Sequence, residues 1–116
     1  MTGDELAALL ERDEVALVDV RSRAEFEGAG GYPCDPRQGH IAGAVHLDLN
    51  EIYAAVADPA GVLGLLAEHD IPQDSRIVAY CHSGQRSEIA ASLLRQAGLD
   101  AVNYAGSWHE WSRRPE

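Results

Sequence analysis

The sequence predicts an α/β layer fold with a central, mostly parallel sheet. Three observations predict it. Short valine-rich apolar runs at residues 15–20, 44–47, 76–80 and 101–104 alternate with stretches of helical spacing. Most of the helical stretches carry their own start or stop signal. No repeat, low-complexity tract or interdomain linker interrupts the 116 residues, a length that suits one domain over 1–116. An apolar fraction of 46% can fill a core without a disulfide framework.

Thr2-Gly3-Asp4-Glu5 reads as a capping box that opens a helix through Leu6, Leu9 and Leu10. Residues 15–20 are short, apolar and rich in valine, as a buried strand is. Ser22-Arg23-Ala24-Glu25 is a second capping box, for a short helix ending near Gly28. Residues 29–39 hold three glycines and two prolines and form a loop. After the strand at 44–47, Asn50 is placed to cap a helix through Ile52, Tyr53 and Val56. Asp58-Pro59 pairs an N-cap with proline at the first helical position, for a helix through Leu63, Leu66 and Ala67. The strand at 76–80 is the clearest in the chain, and the helix from Ser87 to Ala97 is its counterpart. Ile89, Ala90, Leu93, Leu94 and Ala97 mark one apolar face, and Gly98 follows as the stop. Ser107 is placed to cap a short turn of helix carrying Trp108 and Trp111.

The formal charge is −10, and all nine basic residues are arginine. Nucleic acid is excluded as a partner, because phosphates need clustered Lys and Arg. Anionic membrane faces are repelled as well. No apolar run approaches the roughly 20 residues that span a bilayer, and the first residues lack the basic start and apolar stretch of a secretory signal. A cytoplasmic location is expected. A small anion remains a possible ligand only if the chain builds a local device for it.

Such a device is legible around one of the two cysteines. In a cytosol-like chain both are expected as free thiols. Cys34 sits in Gly-Tyr-Pro-Cys-Asp-Pro, a loop composition, whereas Cys81 follows the best strand and precedes the best helix. The segment is Tyr80-Cys81-His82-Ser83-Gly84-Gln85-Arg86-Ser87. Ligands of open α/β sheets bind beyond the carboxyl ends of strands. A loop there can turn successive N–H groups inward as an anion nest. Gly84 permits the backbone geometry, the helix N-terminus adds partial positive charge, and Arg86 adds a forked cation. A cysteine with a pKa of about 8.5 is only a few per cent thiolate at pH 7. Lowering that value by about two units, at roughly 1.4 kcal/mol per unit, makes it mostly thiolate. An isolated cysteine at a strand end reads as a small core residue; the polar glycine loop with its arginine is what marks this one as a nucleophile.

At these residues the chain resembles the rhodanese domain, a sulfurtransferase module. Leu17-Val18-Asp19-Val20-Arg21 followed by Glu25-Phe26 is similar to the family's first signature. Gly39-His40-Ile41-Ala42-Gly43-Ala44 is similar to the second, with Ala42 where proline is common. Cys81-His82-Ser83-Gly84-Gln85-Arg86 resembles its short active loop, and Gly106-Ser107-Trp108-His109-Glu110-Trp111 resembles the end of the catalytic half of two-domain thiosulfate sulfurtransferases. The resemblance implies a three-layer α/β/α fold with about five strands. It implies a double displacement in which Cys81 takes sulfane sulfur from thiosulfate or a related donor, holds it as a persulfide, and yields it to cyanide, a thiol or a carrier protein. No cofactor is implied beyond that transient persulfide.

The expected site is therefore Cys81 as nucleophile with His82, Ser83, Gly84, Gln85, Arg86 and Ser87 around the substrate, the serines and Gln85 acting mainly through backbone N–H groups. Arg21 is the further candidate for the donor site, with a structural carboxylate pair as its alternative. Cys34 is read as an ordinary loop cysteine or a resolving thiol. The histidines and cysteines show no paired zinc spacing, so no metal is expected. Two other functions stay open. One is a non-catalytic regulatory or sulfur-carrier binding module. The other is a phosphatase-like or arsenate-reducing enzyme, disfavoured because such loops place Arg six positions after Cys, whereas Arg86 is five after Cys81.

Overall fold

The computed structural model describes residues 1–115. Four parallel strands form one sheet in the order β2-β1-β3-β4, with β1 at Val15–Asp19, β2 at Val45–His46, β3 at Arg76–Tyr80 and β4 at Ala101–Asn103. The sheet of the described residues is thus one strand smaller than the expected five. The glycine- and proline-rich segment between β1 and β2 stays irregular apart from one short helix.

Among the described residues six helices complete the layers: α1 (Gly3–Glu11), α2 (Arg23–Glu27), α3 (Leu49–Ala55), α4 (Pro59–Glu68), α5 (Gln85–Gln96) and α6 (Ser107–Trp111). Side chains alternate across each strand, and the two faces bury different partners. Val18, Ile77, Ala79 and Ala101 pack with Ile52 of α3, Val62 and Leu66 of α4, and Ala90, Ala91 and Leu94 of α5. Leu17, Val78 and Tyr80 pack on the other face with Leu6 of α1 and Trp108 of α6. Helices on both faces make the three-layer α/β/α fold that the family resemblance implies.

Local signals explain most element boundaries. Both capping boxes form, at Thr2 with Glu5 and at Ser22 with Glu25. Gly28 ends α2 in the left-handed conformation, φ +87°. Three expected caps differ. Asp48, not Asn50, caps α3, its carboxylate accepting from the Asn50 N–H at 2.8 Å. α5 starts at Gln85, two residues ahead of Ser87, because Gly84 takes the cap position with φ +92°. Ser107 lies inside α6 rather than capping it, and its hydroxyl is drawn to β3 and β4 instead.

The topology positions the site. The chain leaves β1 toward β2 on one side, and leaves β3 toward β4 on the other, so a crevice opens beyond the carboxyl ends of the central pair. Register sets Asp19 level with Tyr80 at that edge. Arg21 and Cys81 follow immediately. Among the described residues no helix is long and apolar enough to cross a membrane.

Candidate active site

Cys81 leaves β3 with its side chain almost enclosed, 1% exposed. Its backbone is held by the segment around α6. The Cys81 N–H donates to Ser107 Oγ at 3.0 Å, and that hydroxyl donates to the Tyr104 carbonyl at 2.8 Å. The carbonyls of Cys81 and His82 accept from the N–H groups of Trp108 and His109, both at 2.9 Å. Ser107 adopts φ +53° to do this.

The thiol is met by donors from the next turn. Gly84 N–H lies 3.1 Å from Sγ, Ser87 N–H 3.4 Å and Ser87 Oγ 3.3 Å. Burial alone pushes the Cys81 thiol up. The Ser87 hydroxyl and the N–H groups of Ser87, Gly84 and Ser83 outweigh it and bring the thiol below its ordinary value. Gly84 is required twice over. Its φ is positive, and a Cβ there would stand 2.5 Å from the Ala105 carbonyl oxygen. Asn103 fixes the same residue by donating to its carbonyl at 3.1 Å.

The rhodanese-like domain family matches residues 2–114. This chain belongs to that family.

The rhodanese-like chain is 35% identical to the thiosulfate sulfurtransferase of Corynebacterium glutamicum over 120 residues, covering 91% of this chain and 38% of that protein. A mouse thiosulfate sulfurtransferase/rhodanese-like domain-containing protein 3 is 29% identical over 113 residues, covering 96% and 66%. The solved structure of the human single-domain sulfurtransferase TSTD1 superposes with a TM-score of 0.72 at 30% identity, over 100% of this chain and 96% of that one. The chain spans 36% to 38% of the length of several of the curated relatives that it matches.

Within this rhodanese-like domain the expected site residues separate into groups. Cys81, Gly84 and Ser87 come together around Sγ. Ser83 and Gln85 are exposed at the loop surface. Arg86 reaches sideways to α2, where its two terminal nitrogens meet Glu25 Oε1 and Oε2 at 2.9 and 3.0 Å. It is therefore a paired cation beside the loop rather than an open anion receptor. The His82 ring stacks on Tyr32 with centroids 3.9 Å apart and faces Asp35.

Arg21 does not line the crevice. It is 1% exposed, forks onto the Asp19 carboxylate at 2.8 to 3.1 Å, donates to the Gly39 carbonyl, and lies over the rings of Tyr80 and Trp108. A buried guanidinium needs such a partner, and the carboxylate at the end of β1 supplies it. Cys34 is an exposed free thiol.

The residues missed by sequence reasoning are Glu25, Ser107 and Asp35. Glu25 already had a local role in the Ser22 box, which concealed its bond to Arg86. Ser107 looked like the cap of its own helix. Asp35 lay in a loop with no periodic signal. A cavity of about 380 Å³, lined by Asp13, Glu14, Val15, Asp70 and Ser75 among others, opens at the opposite, amino-terminal ends of the strands, and neither cysteine nor histidine lines it. The chemistry, not the cavity, marks the site.

Proposed function

We propose that this chain is a sulfurtransferase that carries sulfane sulfur on Cys81. The observation that carries the reading is the convergence of the backbone N–H groups of Gly84 and Ser87 and the Ser87 hydroxyl on Sγ, which stabilise negative charge on sulfur. A structural core cysteine has no use for them. Relatives named as thiosulfate sulfurtransferases support the same reaction class.

In the proposed reaction, written for thiosulfate as the donor, the Cys81 thiolate attacks the outer sulfur. A bond forms between Cys81 Sγ and that sulfur, the donor's own S–S bond breaks, and sulfite leaves with the electron pair. The persulfide anion keeps the negative charge next to the loop. An acceptor (cyanide, a thiol or a sulfur-accepting protein) then attacks the terminal sulfur and returns Cys81 as thiolate. Arg86, held by Glu25, steadies the start of α5 and adds a positive field at the edge of the loop. The residues of the loop act through their backbone, with Ser87 adding its hydroxyl. A reducing compartment such as the cytoplasm suits a mechanism that needs a free thiol.

The test is intact mass after incubation with thiosulfate. Wild type is expected to gain one sulfur atom on Cys81 and to make thiocyanate from cyanide, and Cys81→Ser is expected to do neither. A wild-type protein that gains no sulfur from thiosulfate, mercaptopyruvate or glutathione persulfide would leave only a binding function for this fold.

A further inference from the structure

Asp35 and His82 face one another from two loops that are distant in sequence. The Asp35 side chain is fully buried and that of His82 is 13% exposed. Asp35 Oδ2 lies 2.9 Å from His82 Nε2, within ion-pair distance, yet the two atoms do not meet in hydrogen-bond geometry. Each is left buried without a hydrogen-bond partner. The other carboxylate oxygen is satisfied, since Arg113 Nη1 donates to Oδ1 at 3.0 Å. Cys34 adjoins the pair: the thiol sulfur, a carboxylate oxygen and an imidazole nitrogen of Cys34, Asp35 and His82 all lie within 4.8 Å of one another.

Thiolate, imidazole and carboxylate together are a donor set for zinc and similar first-row divalent ions. Oδ2 and Nε2 meet only as a close contact without hydrogen-bond geometry, and a cation placed between them would be ligated by both at once. Ligand bonds of about 2.0 to 2.3 Å put the ligand atoms of a tetrahedral ion about 3.3 to 3.8 Å apart. The carboxylate and imidazole therefore open slightly, while the thiol closes in. Cys34 is the exposed member and the one free to adjust. The other two are held from outside the set. Tyr32 stacks on the His82 ring, and Arg113 grips the far oxygen of Asp35. The charges facing the set are Arg113 and, when protonated, His109, whose Nδ1 is 3.7 Å from Asp35 Oδ1. Binding has to overcome them through the thiolate, and it releases the thiol proton.

We propose that Cys34, Asp35 and His82 form a three-ligand site for a zinc-class divalent ion, with one coordination position open to solvent. The paired spacing of zinc motifs is absent from the sequence because the ligands come from separate loops joined only by the fold. The site stands apart from the sulfur chemistry proposed for Cys81, although His82 belongs to the same loop.

The experiment uses the full, reduced, chelator-stripped chain and titrates it with Co²⁺. Wild type is expected to bind a single ion with a thiolate-to-cobalt charge-transfer band and intense tetrahedral visible bands, both bleached by Zn²⁺. Cys34→Ser should lose the charge-transfer band and bind at least about 100-fold more weakly, the upper end of what even a supporting contact is worth at a metal centre. Cys81→Ser should keep the full spectrum. Circular dichroism checks that each variant folds, and wild type supplies a readout needing no variant: Zn²⁺ should protect Cys34 from alkylation. No cobalt spectrum in wild type, a charge-transfer band that survives Cys34→Ser, a band lost in Cys81→Ser, or unprotected Cys34 each overturns the proposal. None of these readouts depends on sulfur transfer.

Discussion

The guanidinium of Arg86 and the carboxylate of Glu25 meet fork to fork, at 2.9 and 3.0 Å, joining the helix after the nucleophile to the helix after β1. An arginine placed next to an anion loop would ordinarily be read as a receptor for the incoming anion. Here the carboxylate takes the two strongest bonds that the guanidinium offers. The positive field that remains acts over a longer range.

Glu25→Gln should therefore cost about 1 to 2 kcal/mol of stability at neutral pH, between the values of exposed and buried pairs, because Arg86 is a third exposed. The effect has a pH signature. Burial pushes the Glu25 carboxyl up, but the bonds and charge of Arg86 outweigh it and hold the group below its ordinary value. A depressed carboxyl contributes its stability above the ordinary carboxylate range and loses it as pH falls through the lowered folded value. Urea unfolding at a series of pH values should show the wild-type advantage constant near neutrality and vanishing in acid. An advantage that persists in acid contradicts the ion-pair account.

Ser87→Ala should raise the pH at which Cys81 becomes reactive. A hydrogen bond to a charged group is worth about 1.5 to 3 kcal/mol, so the midpoint of the alkylation–pH curve should move up by about one to two units. Below the raised midpoint the sulfur-loading rate should fall in step with the lost thiolate. Alkylation of Cys81 by iodoacetamide across a pH series measures this directly. An unmoved midpoint would assign the low thiol value to the backbone N–H groups alone.

Gly84→Ala should be damaging without touching the thiol. The substitution combines a positive φ with a Cβ forced against the Ala105 carbonyl. Strain of this kind costs about 1 to 3 kcal/mol. The loop should shift to relieve it, withdrawing the Gly84 N–H from Sγ, so chemical denaturation and thiosulfate loading should both register the change. A variant that is less stable but loads sulfur at the wild-type rate would show that this N–H is dispensable.

The sequence made the layers legible because each rests on local signals. Alternating periodicity, the boxes at Thr2 and Ser22, and the glycine stops at Gly28 and Gly98 all act within a few residues of where they are read. Cys81, Gly84 and Ser87 were legible for the same reason, lying on one continuous turn. What was hidden depends on side chains meeting across loops. Arg86 chooses Glu25, Ser107 chooses the Cys81 amide, and His82 chooses Asp35, and no spacing along the chain encodes those choices. Arg21 shows the same point in reverse. Its position past a strand end suited a donor site, but the Asp19 carboxylate two residues earlier draws it into the core.

The peptide of Cys81 is tied down on its N–H and on its carbonyl by the segment that carries Ser107 and Trp108. A nucleophile anchored at both ends of its own residue cannot swing outward to deliver cargo. In the reaction proposed for it, the only reach that Cys81 gains is the length of one new sulfur–sulfur bond, about 2 Å. The rest of the journey falls to the visitor. Selectivity among acceptors then becomes a matter of slenderness: a linear ion or a thiol on an extended arm can arrive, and a thiol flush with a broad surface is turned away.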